Sequence, residues 1–219
     1  MSLSIDKVVW AQVHIGTLKK EAHPKTSPYR LGVTDWMVVL NPEIIAEQLD
    51  SAKKKIQDAK KAWKEILIVC EKKMYADEIA DLARKYGVHY LNYKVPSGFL
   101  TNFDTFKKRV ASMNKMVKFL ETEAYDNLTK KEQLVYTRDL NKVKRVYQGV
   151  QNLVKKPDLL VVVDGHMMDS FLNEIQKEKA ENVVITSSNF TKWWDMKSIV
   201  MANVLSYKSL DFVMRYILS

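Results

Sequence analysis

Apolar residues in the middle of this 219-residue chain recur at alternating steps of three and four positions, in two separate runs. The first run consists of Phe103, Phe106, Val110, Met113, Val117, Leu120 and Ala124. The second consists of Tyr136, Leu140, Val143, Tyr147, Val150 and Val154. Because this spacing keeps the apolar residues on one helix face, two runs joined by the polar stretch Asp126–Glu132 predict an antiparallel coiled-coil hairpin over residues 103–154. Each arm would be about 33 Å long at 1.5 Å per residue, and we expect the hairpin to project from the rest of the protein rather than cover it.

Short apolar runs elsewhere in the chain have the length and composition of buried β-strands. They are Trp36–Leu40, Ile66–Cys70 and Leu159–Val163, with shorter candidates at Val88–Leu91 and Val183–Ile185. Each run is apolar at successive positions rather than at alternate ones. This pattern indicates strands that are covered on both faces, as in a parallel sheet.

Segments with helical spacing lie between these strands. The predicted helices cover about residues 42–59, 74–86 and 167–179. Pro42 suits a first helical turn, and Gly87 is a typical residue just beyond a helix end. The alternation of strands and helices predicts an α/β fold, with a doubly wound parallel sheet in three layers. We expect a single domain over residues 1–219, with the hairpin inserted in it.

The charge balance favours a polyanionic partner. The chain has 35 Lys and Arg residues against 26 Asp and Glu, a formal net charge of +9. Such an excess is typical of proteins that bind nucleic acid or an anionic membrane surface. Residues 104–156 contain 13 of the basic residues and only six of the acidic ones, so most of the surplus lies in the predicted hairpin. A solvated coiled-coil surface is the alternative explanation, but a surplus this uneven favours contact with phosphates.

The single cysteine and the distribution of apolar residues indicate the compartment. Cys70 cannot form an internal disulfide, which fits a reducing environment, and its position after an apolar run predicts a buried thiol. No apolar stretch reaches the roughly 20 residues needed to span a bilayer. We therefore expect a soluble intracellular protein.

Motifs for catalysis or cofactor binding are missing from the sequence. The six glycines are isolated and form neither a dinucleotide-binding loop nor a Walker loop. Asp164 follows a predicted strand and has the position of a ribose-binding acid, although capping of the next helix is the favoured interpretation. The four histidines have no metal-site spacing, and no serine elbow is present. We expect a protein without enzymatic activity, cofactor or metal, and a nucleotide-binding α/β enzyme remains the less favoured alternative.

Several short motifs occur in an order and spacing that resemble a known family. They are His14-Ile15-Gly16, His23-Pro24-Lys25, Pro28-Tyr29, Val69-Cys70-Glu71-Lys72-Lys73, Gly98-Phe99-Leu100-Thr101-Asn102-Phe103 and Pro157-Asp158-Leu159-Leu160-Val161-Val162-Val163-Asp164. The corresponding family patterns are V-H-F-G-H, N-P-K, P-Y, V-G-T-K-K, G-G-M-L-T-N-F and P-D-A-L-F-V-V-D. Over about residues 8–189, the chain therefore resembles the bacterial-type small-subunit ribosomal protein two family.

This resemblance implies a flavodoxin-like sheet with an inserted coiled-coil hairpin, in a structural component of the small ribosomal subunit. The implied partners are small-subunit ribosomal RNA and neighbouring ribosomal proteins, among them ribosomal protein one in many bacteria, with no membrane or small-molecule partner. The implied location is a cytoplasmic ribosome, with an organellar ribosome as the open alternative. By position, the implied RNA contacts are Lys19, Lys20, Lys25, Arg30, Lys72, Lys73, Thr101, Asn102, Lys107, Lys108 and Arg109.

The chain also departs from the family pattern. Thr17 replaces the second early histidine, and residues 94–98 and 187–190 replace R-W-L-G-G and D-T-N-C. The family's later P-x-P-G-N-D-D is unrecognisable in residues 203–209, which leaves the packing of the C-terminal quarter open. The pair Trp193-Trp194 is predicted either to pack against the last helix or to form a partner-binding patch. A scaffold or adhesion role outside the ribosome, on the same fold, is the favoured alternative function.

Overall fold

The computed structural model describes residues 3–192, 196 and 198–219. The strands are β1 (Ile15–Leu18), β2 (Arg30–Thr34), β3 (Met37–Leu40), β4 (Ile66–Val69), β5 (His89–Leu91), β6 (Leu159–Val163), β7 (Glu181–Thr186) and β8 (Ile199–Met201). The helices are α1 (Ile5–Trp10), α2 (Pro42–Lys61), α3 (Ala76–Tyr86), α4 (Phe103–Phe119), α5 (Glu123–Asp126), α6 (Lys130–Tyr147), α7 (Asp169–Glu178) and α8 (Tyr207–Leu218). The pair Trp193-Trp194 lies outside the described residues.

Five strands form a parallel sheet in the order β5-β4-β6-β7-β8. The chain starts this sheet at β4, moves outward to β5, and then crosses back to β6 on the other side of β4. This strand order is that of flavodoxin-like doubly wound sheets. Four of the predicted strand regions, at β4, β5, β6 and β7, are confirmed, whereas β8 was not predicted.

Alternate residues of each central strand enter two different apolar cores. In β4, Ile66 and Ile68 belong to the core that also contains the buried faces of α2, α3 and α8. Leu67 and Val69 belong to the opposite core, which contains α7 and the bases of α4 and α6. Because all four side chains are buried, the strand is apolar at every position, as predicted.

The remaining three strands form a separate antiparallel sheet in the order β1-β3-β2. The prediction that Trp36–Leu40 is a doubly covered strand of the parallel sheet is therefore wrong. Asp35 and Trp36 form the two-residue turn between β2 and β3, with φ angles of 48° and 66°. This left-handed turn geometry matches the twist of a hairpin, and it leaves the Trp36 side chain 78% exposed.

The predicted helices between the strands are confirmed, with small shifts at their ends. Asn41 Oδ1 accepts a hydrogen bond from the Glu43 N–H at 3.0 Å, which caps the start of α2. Gly87 ends α3 with a φ of 65°, the left-handed conformation typical of a helix C-terminus. The final helix, α8, packs its apolar face against α2 in the first core.

Residues 103–147 contain α4, α5 and α6, and α4 contacts α6. Both helices end earlier than predicted, because α4 ends at Phe119 and α6 ends at Tyr147, although α6 already begins at Lys130, within the predicted polar link. Val154 is 73% exposed and lies outside α6. Phe106 and Leu140 are buried in the same core as one face of the parallel sheet, so the base of this segment covers the sheet instead of only projecting from it.

Among the described residues, no helix is both long enough and apolar enough to cross a lipid bilayer.

Candidate nucleic-acid interface

The predicted contact residues lie in segments at the carboxyl edge of the parallel sheet. Lys72 and Lys73 follow β4, and the loop with Thr101 and Asn102 follows β5 and leads into α4. Residues 19–30, which carry Lys19, Lys20, Lys25 and Arg30 and are called the early basic segment, reach the same edge. The His23 N–H donates to the carbonyl oxygen of Ser188, just after β7, at 2.8 Å. Parallel strands end together at one edge, which explains how segments distant in sequence reach it.

Nine of the eleven predicted contacts have exposed side chains. They are Lys19, Lys20, Lys25, Lys73, Thr101, Asn102, Lys107, Lys108 and Arg109. The last three lie in the first turns of α4, where Phe103 and Phe106 occupy the buried face. Helical periodicity therefore directs the three basic side chains away from the core and toward solvent.

Lys72 does not lie on the surface, because it forms an ion pair with Asp164. Their Nζ and Oδ2 atoms are 2.6 Å apart, and the two side chains are only 10% and 6% exposed. The pair joins the ends of β4 and β6, where a doubly wound sheet changes direction and ligands commonly bind. The favoured expectation that Asp164 caps the next helix is wrong. It accepts a 3.4 Å hydrogen bond from the Met167 N–H, whereas α7 begins only at Asp169.

Arg30 is also engaged within the protein. Its Nε donates to Thr26 Oγ1 at 2.8 Å, and its guanidinium also donates to the carbonyl oxygen of His23. Partial burial lowers the pKa of the Arg30 guanidinium from its ordinary value. Thr26 Oγ1 in turn donates to the Ser188 carbonyl oxygen at 3.1 Å. Arg30 therefore holds the early basic segment against the end of β7.

Two departures from the family pattern contact each other at this edge. Thr17 and Ser188 are both buried, and their hydroxyl oxygens are 2.7 Å apart. The Thr17 N–H also donates to Ser188 Oγ at 2.9 Å. The two small polar side chains thus connect β1 to the segment after β7.

Two glutamates that the sequence did not single out hold the loop between β5 and α4. Glu174, on α7, accepts hydrogen bonds from the Gly98 N–H at 2.6 Å and the Leu100 N–H at 3.0 Å. Glu71 accepts from the Val95 N–H at 2.8 Å. The carboxylates come from elements distant in sequence, so no local motif indicates this role. Together they position the loop that presents Thr101 and Asn102.

Replacing Glu174 with glutamine is expected to loosen this loop, because the new NH₂ group faces an N–H donor and one of the two hydrogen bonds is lost. We expect a loss of about 1 kcal/mol in the free energy of unfolding, together with faster hydrogen exchange at the Gly98 and Leu100 amides. Urea unfolding and exchange measured by mass spectrometry test both effects. The matched control is Glu178→Gln on the same helix, since Glu178 pairs only with the exposed Lys156 in the described structure. Equal exchange at both amides in the two variants would contradict the role of Glu174.

A cysteine also lies near this edge, directly after β4. Cys70 is buried, as predicted, and desolvation raises the pKa of its thiol to about 11. A thiol with this pKa is protonated at neutral pH and is a poor nucleophile. Among the described residues, no three His, Cys, Asp or Glu side chains come together as a metal site.

Comparison with known proteins agrees with this architecture. The sequence model of the family described as ribosomal protein S2 matches residues 8–219. The chain is similar to small ribosomal subunit protein uS2 of Coprothermobacter proteolyticus, with 28% identity over 187 residues. Its similarity to the proteins of that name in Rickettsia felis and Porphyromonas gingivalis amounts to 33% identity over 189 residues and 32% over 162 residues.

These alignments cover 85%, 86% and 74% of this chain, respectively. They cover 70%, 64% and 58% of the relatives, so the chain spans little more than half to about two thirds of the length of these proteins. The family match extends over both the antiparallel and the parallel sheet and over the helical segment between β5 and β6. The chain therefore belongs to the ribosomal protein S2 family.

Proposed function

We propose that this protein is a structural constituent of the small ribosomal subunit that binds ribosomal RNA and has no enzymatic activity. The observation that carries the proposal is the set of exposed basic and polar side chains at one edge of the sheet, in a member of this family. The relatives are named as small ribosomal subunit proteins, which supports the same role.

The proposed mechanism is electrostatic. Seven of the nine exposed candidates are Lys or Arg, which neutralise phosphates and release counterions, whereas Thr101 and Asn102 donate hydrogen bonds to phosphate oxygens. Such contacts position the protein on RNA without reading its sequence. We assign a different role to Lys72 and Arg30, whose charged groups are bound within the protein. They stabilise the segments that carry the neighbouring contacts.

We also propose that residues 1–219 form one α/β domain and that residues 103–154 are a coiled-coil hairpin inserted in it. Contacts between α4 and α6 support the hairpin. The Tyr136 hydroxyl donates to the Met116 carbonyl oxygen at 3.1 Å, and the rings of Phe119 and Tyr136 are 5.1 Å apart. These contacts join the C-terminal part of α4 to the N-terminal half of α6, the parts of the two helices that are farthest along the chain from β5 and β6.

The proposed partners are ribosomal RNA and neighbouring proteins of a cytoplasmic small subunit, with ribosomal protein one as a further candidate. A basic segment between residues 104 and 156 supports RNA as the main partner, because its net charge is seven positive units. The ion pair of Lys72 and Asp164 occupies the crevice where doubly wound enzymes commonly bind a ligand, which argues against the nucleotide-enzyme alternative.

Sedimentation of cell lysate on sucrose gradients at high and low magnesium tests the proposed function. We expect the protein to co-migrate with small subunits and whole ribosomes at high magnesium. At low magnesium, when the subunits separate, it should be found with small subunits alone. Recovery only at the top of the gradient under both conditions would overturn the proposal and favour the scaffold alternative.

A further inference from the structure

A groove of about 330 Å³ lies between α3 and α6, beside the edge strand β5. We call it the α3–α6 groove, and the lining side chains that matter here are Lys73, Arg84, Tyr93, Lys144 and Arg145. Only Lys73 belongs to the contact set that the sequence predicts. At the floor of the groove, Gly149, after α6, lies directly against Tyr90 of β5.

The groove has an excess of positive charge. Four of its lining residues are cationic, and within the described residues Asp77 is the one carboxylate among them. Arg84 pairs with Asp81 at 3.2 Å, but neither Lys73 nor Lys144 forms an ion pair with any described residue. Uncompensated cations around a concave surface raise the local concentration of anions.

The groove also offers flat surfaces for stacking. The guanidinium carbon of Arg145 lies 4.0 Å from the centre of the Tyr93 ring. Tyr93 is 38% exposed and Arg145 is exposed as well, so the pair is accessible from solvent. Unpaired RNA bases stack on aromatic rings and on arginine planes, and this stacking tolerates different bases.

We propose that the α3–α6 groove binds unpaired nucleotides of RNA, with a base stacked on Tyr93 and Arg145 and phosphates held by Lys73 and Lys144. The inference rests on the RNA-binding function proposed above and names the kind of RNA that this face takes. In duplex RNA the faces of the bases are stacked on one another, and only a bulge, loop or end can offer a free base face. The volume of the groove is at the small end of ligand pockets, which suits a nucleotide rather than a helix.

Fluorescence anisotropy with the full-length protein tests this assignment. The probes are a short unstructured RNA oligonucleotide labelled with fluorescein and an RNA duplex of the same composition. We expect Tyr93→Ala to weaken binding of the oligonucleotide roughly tenfold because one stacked base is lost. Arg145→Lys should also weaken it, since lysine keeps the charge but lacks the planar guanidinium. Duplex binding should be unchanged in both variants.

Trp10→Ala is the matched control. Trp10 is 72% exposed and has the Lys208 ammonium 3.6 Å from its ring, so it offers the same kind of aromatic–cation pair on α1. Oligonucleotide binding should be unchanged in this variant. Circular dichroism of each variant confirms that it is folded.

Two results would overturn the groove assignment. One is wild-type affinity for the oligonucleotide in Tyr93→Ala, and the other is an equal loss in Trp10→Ala. If either occurs while the wild-type protein still co-migrates with small subunits, only the groove assignment fails. If the wild-type protein binds neither probe and stays at the top of the gradient, both the groove assignment and the proposed function fail.

Discussion

Replacing Asp164 with asparagine is expected to lower the free energy of unfolding by about 3–5 kcal/mol at neutral pH. The change leaves the ammonium of Lys72 without its partner in a site where that side chain is only 10% exposed. Asparagine tolerates the left-handed backbone that Asp164 adopts, with a φ of 64°, so the effect is electrostatic rather than conformational. For a chain of this size, the melting temperature should fall by roughly 6–20 °C.

Two further variants identify the cause. Asp139→Asn breaks an ion pair with Lys142 whose side chains are 55% and 70% exposed, and should cost less than about 1 kcal/mol. Adding Lys72→Met to Asp164→Asn removes the buried charge and should restore part of the lost stability. If Asp164→Asn costs no more than Asp139→Asn in urea unfolding, the buried pair is not a major source of stability.

Gly149→Ala is expected to cost about 1–3 kcal/mol in the free energy of unfolding. A Cβ atom at this position would lie 2.2 Å from the backbone oxygen of Tyr90 and 2.6 Å from its ring. A backbone atom cannot yield as the end of a flexible side chain can. The segment after α6 must therefore move away from β5, which would also open the α3–α6 groove.

Gly32→Ala provides the matched control for this substitution. Gly32 lies in β2, and a Cβ atom there would meet no other atom within 4 Å. Alanine should be neutral or slightly stabilising, because it reduces the conformational freedom of the unfolded chain. Calorimetry measures the melting temperatures of both variants. Similar values would show that the close contact at Gly149 relaxes without loss of stability.

The ion pair that Asp164→Asn would break lies where other proteins with this type of sheet bind ligands. The crevice between β4 and β6 is where doubly wound sheets commonly bind a ligand, and here it contains a salt bridge that is part of the protein. The basic segments lie around this edge and along α4. This arrangement supports the proposed function, in which the fold is a rigid support for charged loops that contact RNA phosphates without reading the base sequence.

The sequence by itself determined the class of the fold and the main secondary structure. Strands such as Leu159–Val163 are buried on both faces, so their runs of apolar residues identify them without knowledge of their neighbours. The Pro42 start and the Gly87 end of their helices follow from local backbone preferences. Local signals of this kind are sufficient to predict a strand or helix where the conformation of a segment depends mainly on its own residues.

Tertiary structure alone decided which side chains are available as contacts. Lys72 and Lys73 are adjacent in sequence, yet Lys72 pairs with Asp164 and Lys73 is exposed at the groove. Glu174 holds a loop that lies 74–76 residues away, and Arg145 stacks on Tyr93 across two elements. The physical reason is that burial and pairing depend on partners brought together by the sheet, whereas a residue's type and spacing indicate only what it can do.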